Sequence, residues 1–142
     1  MIVLDTNVVS EPLRPQPSAA VLRWLDAQAP QSLYLTAVNL AELLAGVAAL
    51  PDGRRRTELE RAMNQQVLPL FVQRTLAFDE RAAHAFARIH AATQAAGRPI
   101  GFADGAIAAI ALAHGFAVAT RNVGDFAGTG VALINPWEGD GR

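Results

Sequence analysis

Four carboxylates are spaced along this chain in a way that suits divalent-metal chemistry: Asp5, Glu42, Asp104 and Asp125. Asp5 ends the apolar run Met1-Ile2-Val3-Leu4, and Glu42 lies inside Leu40-Ala41-Glu42-Leu43-Leu44. Asp104 is the only charged residue between Pro99 and Thr120, and Asp125 follows the turn Asn122-Val123-Gly124. A lone carboxylate is costly to bury unless it is paired, hydrogen-bonded or bound to a cation. Acids in apolar settings on separate segments therefore suggest a fold that gathers them around a metal. Carboxylate oxygens are hard ligands, and a set without His or Cys favours Mg²⁺ or Mn²⁺ over zinc. Such a site activates water and stabilises a leaving oxygen, which is the chemistry of phosphodiester hydrolysis.

Each acid also has a structural use. Asp5 before Thr6-Asn7 suits an Asx-turn at a strand end. Asp104 suits a helix N-cap, and Asp125 a solvated turn. Asn39 and Glu42, three apart, have the spacing of a capping box. The helix that carries them, Ala37 to Leu50, is otherwise Ala, Leu, Val and Gly. A helix apolar nearly all round is expected to be buried, with Glu42 turned into the protein or a cleft. Taken jointly, the four acids favour the metal site. Thr6, Asn7, Thr120 and Asn122 stand beside the acids as hydrogen-bonding neighbours, or as ordinary turn formers. Arg121 and the cluster Arg54-Arg55-Arg56 are candidate phosphate contacts; the plainer use of the cluster is a solvated helix start. His84, His90 and His114 lack metal-ligand spacing and read as structural.

The elements that must position these residues alternate between short apolar strands and helices. Strands are expected at Ile2–Leu4, Leu33–Leu35, Val67–Val72, Phe116–Thr120 and Val131–Ile134. Helices are expected from the Ser18 cap to Gln28, from Ala37 to Leu50, from Arg54 to Gln66, from the Asp79 cap to Ala96, and from Asp104 to His114, where Gly115 ends the last. That alternation predicts a three-layer α/β/α sandwich with a mostly parallel sheet of about five strands. In such sheets the functional crevice lies outside the carboxyl ends of the strands, where Asp5, Asp104 and Asp125 can meet.

Composition sets the bounds. The 142 residues, 51% hydrophobic and 18% charged, predict a single domain over 1–142 with a substantial core. The absence of Cys removes disulfides, thiolate zinc sites and Cys nucleophiles together. A net charge of -1 gives no global electrostatic case for nucleic-acid binding, although every basic residue is Arg. No signal peptide or membrane span stands out, so a cytoplasmic protein with no membrane partner is expected.

These motifs resemble the PIN domain, in particular the VapC-type toxin nucleases of toxin–antitoxin pairs. The matching pieces are Leu4-Asp5-Thr6-Asn7-Val8, Ala41-Glu42-Leu43, Ala103-Asp104-Gly105-x-Ile107-Ala108-Ala109 and Ala119-Thr120-Arg121-Asn122-x-x-Asp125-Phe126. Ser10-Glu11-Pro12-Leu13-Arg14-Pro15 and Asn135-Pro136-Trp137 look most like the FitB branch. The resemblance implies a Mg²⁺-dependent endoribonuclease, with Mn²⁺ as a substitute, whose catalytic and metal-binding set is Asp5, Glu42, Asp104 and a fourth acid. It further implies a homodimer, an RNA substrate, and a VapB- or FitA-like antitoxin that blocks the cleft. Operator DNA would be contacted only through the antitoxin. In some relatives the fourth acid falls at the position of Asn122; here Asp125 is the available carboxylate and takes that place, with Asn122 beside it.

Other classes fit less well. A receiver domain needs a Lys at its phosphorylation site, and this chain has none. A haloacid-dehalogenase-like phosphatase needs an acid where Asn7 stands. The remaining alternative is a catalytically weak FitB-like chain that chiefly dimerises a DNA-binding antitoxin and so acts in transcriptional regulation.

Overall fold

The computed structural model describes residues 1–138. Its sheet has five strands, all parallel: β1 (Ile2–Leu4), β2 (Leu33–Thr36), β3 (Thr75–Leu76), β4 (Ala117–Ala119) and β5 (Leu133–Ile134), in the order β3-β2-β1-β4-β5. Side chains alternate across a strand, so neighbours in sequence serve opposite layers. Val3 and Val118 face one core with Ile89, Ile107 and Phe126. Leu4, Leu35 and Ala119 face the other with Val8, Val21, Leu43 and Phe71. The central strands are therefore apolar on both faces, as the parallel arrangement requires.

Among the described residues the α-helices are α1 (Thr6–Ser10), α2 (Ala19–Asp26), α3 (Ala37–Ala48), α4 (Arg54–Ala62), α5 (Glu80–Ala95) and α6 (Phe102–His114), and α4 packs on α3 rather than on the sheet. Ser18 caps α2 through the Val21 N–H, and Asp79 caps α5 through the Ala82 N–H. Gly115 ends α6 at φ 73°, a left-handed position that suits glycine. α5 and α6 pack closely because α6 carries Gly105 at the contact: a Cβ there would lie 2.8 Å from Cε1 of Phe86. Among the described residues no helix is long and apolar enough to cross a membrane.

Three sequence expectations are corrected. Val67–Val72 is not a strand. A π turn over Met63–Val67 and a 3₁₀ turn over Leu68–Phe71 extend the helical path beyond α4, and the strand falls later, at Thr75–Leu76. Met63, Val67 and Phe71 are all buried, and their spacing of four is helical. Pro69 has no N–H to give a ladder. The cap of α3 is Thr36 and not Asn39: the Thr36 hydroxyl accepts from the Asn39 N–H while the Asn39 side chain accepts from the Thr36 N–H. Nor is α3 buried all round. Asn39 and Leu43 face inward, whereas Ala41, Leu44, Ala45 and Ala48 are exposed.

Candidate acidic active site

Strand order reverses at β1, with β2 and β3 on one side and β4 and β5 on the other. The β1–β4 seam is thus the switch point of the sheet, where a crevice opens beyond the carboxyl ends. Asp5 is the first residue past β1 and Thr120 the first past β4. The register pairs Leu4 with Ala119, and the Asp5 N–H donates to the Ala119 carbonyl at 2.8 Å. Asp5 is 4% exposed. Its Oδ1 accepts from the Thr6 N–H at 2.9 Å, which caps α1, and its Oδ2 accepts from the Thr120 hydroxyl at 2.8 Å. The Thr120 oxygen accepts in turn from the Asn122 N–H at 3.0 Å. Turn formation and placement at the crevice are thus the same act for Asp5.

The other acids arrive from three further elements. α6 begins at Phe102 with Gly101 as its cap, so Asp104 lies inside the first turn instead of opening the helix. It is half-buried. Glu42 projects from the exposed side of α3, and its Oε1 accepts from the Thr6 hydroxyl at 2.6 Å. Thr6 also accepts from Nδ2 of Asn39 at 3.2 Å. Asp125 is exposed in the 3₁₀ turn Val123–Phe126, which the buried Phe126 anchors. Asn7 is half-buried on α1, and its carbonyl accepts from the Ser10 hydroxyl.

Electrostatics join the four acids. Burial pushes the Asp5 carboxyl above its ordinary range; the hydrogen bonds from Thr120 and Thr6 oppose this, and the charges of Glu42 and Asp125 add to it. Asp104 is pushed up to about 6, first by burial and then by the charges of Asp5, Asp125 and Glu42. The charges of the four carboxylates thus reach one another, and they add to burial in raising Asp5 and Asp104.

A divalent cation fits this donor set in chemistry: oxygen ligands throughout, excess negative charge, and repulsion that a cation would relieve. Among the described residues no three His, Asp or Glu side chains stand ready-made around one point.

The arginines divide. Arg56 is engaged by Asp52 at 2.9 Å and faces Glu60 at 3.6 Å, so it belongs to the surface of α4. Arg55 reaches the Leu13 carbonyl and lines a groove of about 300 Å³ that also takes in Thr6, Arg14 and Glu42. Arg54 is exposed at the start of α4. Arg121 lies over the Trp137 ring, 5.2 Å from its centroid, beside the mouth of the β1–β4 seam. A separate apolar groove of about 320 Å³, between Leu25 and Phe71, contains none of the four acids.

Asn39 is the site-proximal residue whose role sequence reasoning missed. Its signal was the spacing Thr36-x-x-Asn39, hidden by the equal spacing of Asn39 and Glu42.

The PIN domain family profile matches residues 2–130. The plasmid stability protein StbB of Pseudomonas syringae pv. tomato is 50% identical over 97% of this chain and 99% of its own length. The VapC ribonuclease Y4jK of Sinorhizobium fredii is 49% identical over 97% and 99%. Toxin FitB of Neisseria gonorrhoeae is 47% identical over 96% and 99%. Among solved structures, FitAB bound to an IR36 DNA fragment contains a chain that superposes with a TM-score of 0.93 at 47% identity, covering 96% of each chain. On the profile match and on this full-length similarity, the chain belongs to the PIN-domain family.

Proposed function

We propose that this protein is the endoribonuclease toxin of a toxin–antitoxin pair, and that residues 1–142 form one nuclease domain. The observation that carries this reading is the shared field of Asp5, Glu42, Asp104 and Asp125 at the switch point of the sheet. Similarity to proteins named VapC ribonuclease and Toxin FitB supports the same activity. Asp5, Glu42 and Asp104 would hold Mg²⁺, or Mn²⁺ in its place, with Asp125 completing the set and Asn122 as its neighbour. Bound there, the cation would supply charge stabilisation and a more acidic water for phosphodiester hydrolysis.

The chain's own groups do the rest. Thr120 and the Thr6 N–H hold Asp5 in one orientation with its oxygens at the crevice. Asp104, whose carboxyl is pushed up to about 6 by burial and by the neighbouring acids, would offer its ionised oxygens to a cation above that pH. Arg55, in the groove that leads to Glu42, meets an RNA phosphate. Arg121, braced by Trp137, presents its guanidinium at the crevice mouth.

The partners follow from the relatives. The similar FitAB structure is a complex on DNA, which supports a FitA- or VapB-like antitoxin that carries the operator contact. A homodimer is supported by the exposed apolar side of α3, where Leu44 is 43% accessible. The protein acts in the cytoplasm, where RNA and antitoxin are both present.

RNA cleavage by purified, antitoxin-free protein tests the proposal, run with Mg²⁺, Mn²⁺ or EDTA beside Asp5→Ala. Cleavage that needs metal and disappears in the variant establishes it. A folded protein that binds metal yet cleaves no RNA would favour the alternative, a weakly catalytic dimerisation partner of a DNA-binding antitoxin.

A further inference from the structure

Glu42 has an unusual position for a ligand-bearing residue. Its helix face is exposed, its side chain is long, and packing does not confine it. What directs it is the Thr6 hydroxyl at 2.6 Å. A hydroxyl has one hydrogen and can rotate, so something must aim it.

That aim can be traced to Asn39, which is fully buried. Its Oδ1 accepts both the Thr36 N–H at 3.0 Å and the Thr36 hydroxyl at 2.8 Å. With two donors on the oxygen, the amide nitrogen must face the other way, and there it donates to Thr6 Oγ1 at 3.2 Å. An incoming N–H engages a Thr6 lone pair and turns the hydroxyl hydrogen outward, to Glu42. The chain of donors runs in one direction from the Thr36 cap to Glu42. It has a counterpart across the site, where the Asn122 N–H donates to Thr120 and Thr120 donates to Asp5. Each threonine hydroxyl thus accepts one hydrogen bond and donates one to an acid of the cluster.

We infer that Asn39 is a positioning residue, which holds Glu42 in the acidic site by aiming the Thr6 hydroxyl. The consequence for catalysis rests on the nuclease reading of the same site; the geometry does not. Outer groups that orient a metal ligand are worth about ten- to a hundredfold in metal affinity or activity.

A double-variant cycle on the full chain separates this role from helix capping. Asn39→Ala should lower Mn²⁺ affinity, read by calorimetry, and kcat by about tenfold or more. In a Thr6→Val background the same change should cost less than about twofold, because the link is already cut. Thr6→Ser, which keeps the hydroxyl, should restore both values. Equal losses in the two backgrounds would reduce Asn39 to a cap and overturn the inference. Should Asn39→Ala fail to fold, Asn39→Asp at pH 8 serves in the same cycle: its carboxylate still accepts from Thr36 but cannot donate. A crystal structure of the Asn39 variant decides the geometry without any activity. Glu42 swung away from Thr6 supports the inference, and Glu42 unmoved rejects it. Wild-type protein that neither binds Mn²⁺ nor cleaves RNA would remove the nuclease reading alone, leaving that structural result to stand.

Discussion

The Thr120 hydroxyl donates to Oδ2 of Asp5 at 2.8 Å across a sequence separation of 115 residues. The contact exists because β1 and β4 are neighbours in register, and it ties the first acid of the cluster to the far side of the sheet switch point. It also favours the ionised form of a carboxyl that burial pushes above its ordinary range.

Thr120→Val, which keeps shape and removes the hydroxyl, should therefore push the Asp5 carboxyl further up and weaken Mn²⁺ binding by about tenfold at neutral pH. Thr120→Ser should bind as wild type does. Isothermal titration of the three proteins with MnCl₂ checks this, and a valine variant with undiminished affinity would contradict it.

Stability of the metal-free protein should depend on pH through Asp104. Its folded carboxyl titrates at about 6, against 3.8 for the unfolded chain. A raised folded value means that the stabilisation is fully present below 3.8 and is lost as pH rises through 6. The upward displacement of Asp5 has the same sign. Urea denaturation in EDTA should give midpoints that fall as pH rises from 4 through 6. Asp104→Asn should flatten this slope, raise metal-free stability at pH 7 and abolish cleavage. Metal affinity should run the opposite way, rising with pH through 6, because the cation binds the ionised acid. A flat urea profile in the wild type would remove the electrostatic account of the cluster.

Gly105→Ala should destabilise the fold. The new Cβ would meet Phe86 Cε1 at 2.8 Å and Ile100 Cγ2 at 3.2 Å. Overpacking of this kind costs about 1–3 kcal/mol, against a helix-propensity gain of at most about 1 kcal/mol. A lower thermal midpoint is expected, partly recovered in the double variant with Phe86→Leu. Unchanged midpoints would show that the ring yields freely.

The arginines of α4 should not behave alike. Arg55 lines the groove that contains Glu42, whereas Arg56 is committed to Asp52 and Glu60. Arg55→Gln should weaken binding of single-stranded RNA and make its log–log salt slope shallower by about 0.7, one phosphate contact. Arg56→Gln should leave the slope alone. Filter binding between low and moderate salt distinguishes them, and equal slopes in all three proteins would leave Arg55 and Arg56 as a solvated face.

The strand-helix alternation, the caps at Ser18 and Asp79, the glycine stop at Gly115 and the place of Asp5 at the end of β1 were legible in the chain, because each depends on local pattern or residue type. The segment from Val67 to Phe71 was not. An apolar run of that length suits a strand or a buried helical turn equally, and only the core beneath Met63, Val67 and Phe71 selects the helix. The strand at Thr75–Leu76 is two residues long and exists only through its pairing with β2. The exposure of α3 was missed for a related reason: an apolar composition does not say which side of a helix another element will cover.

What the sequence determined by itself was the chemistry available: hard oxygen donors, no thiol, and acids set beside Thr6 and Thr120. Tertiary structure decided their relations. The strand order placed residue 5 against residue 120, and the Thr36 cap turned the Asn39 amide toward Thr6. Those relations are hydrogen bonds between residues far apart along the chain or directed by a neighbour's orientation, and neither distance nor direction is a local property of sequence.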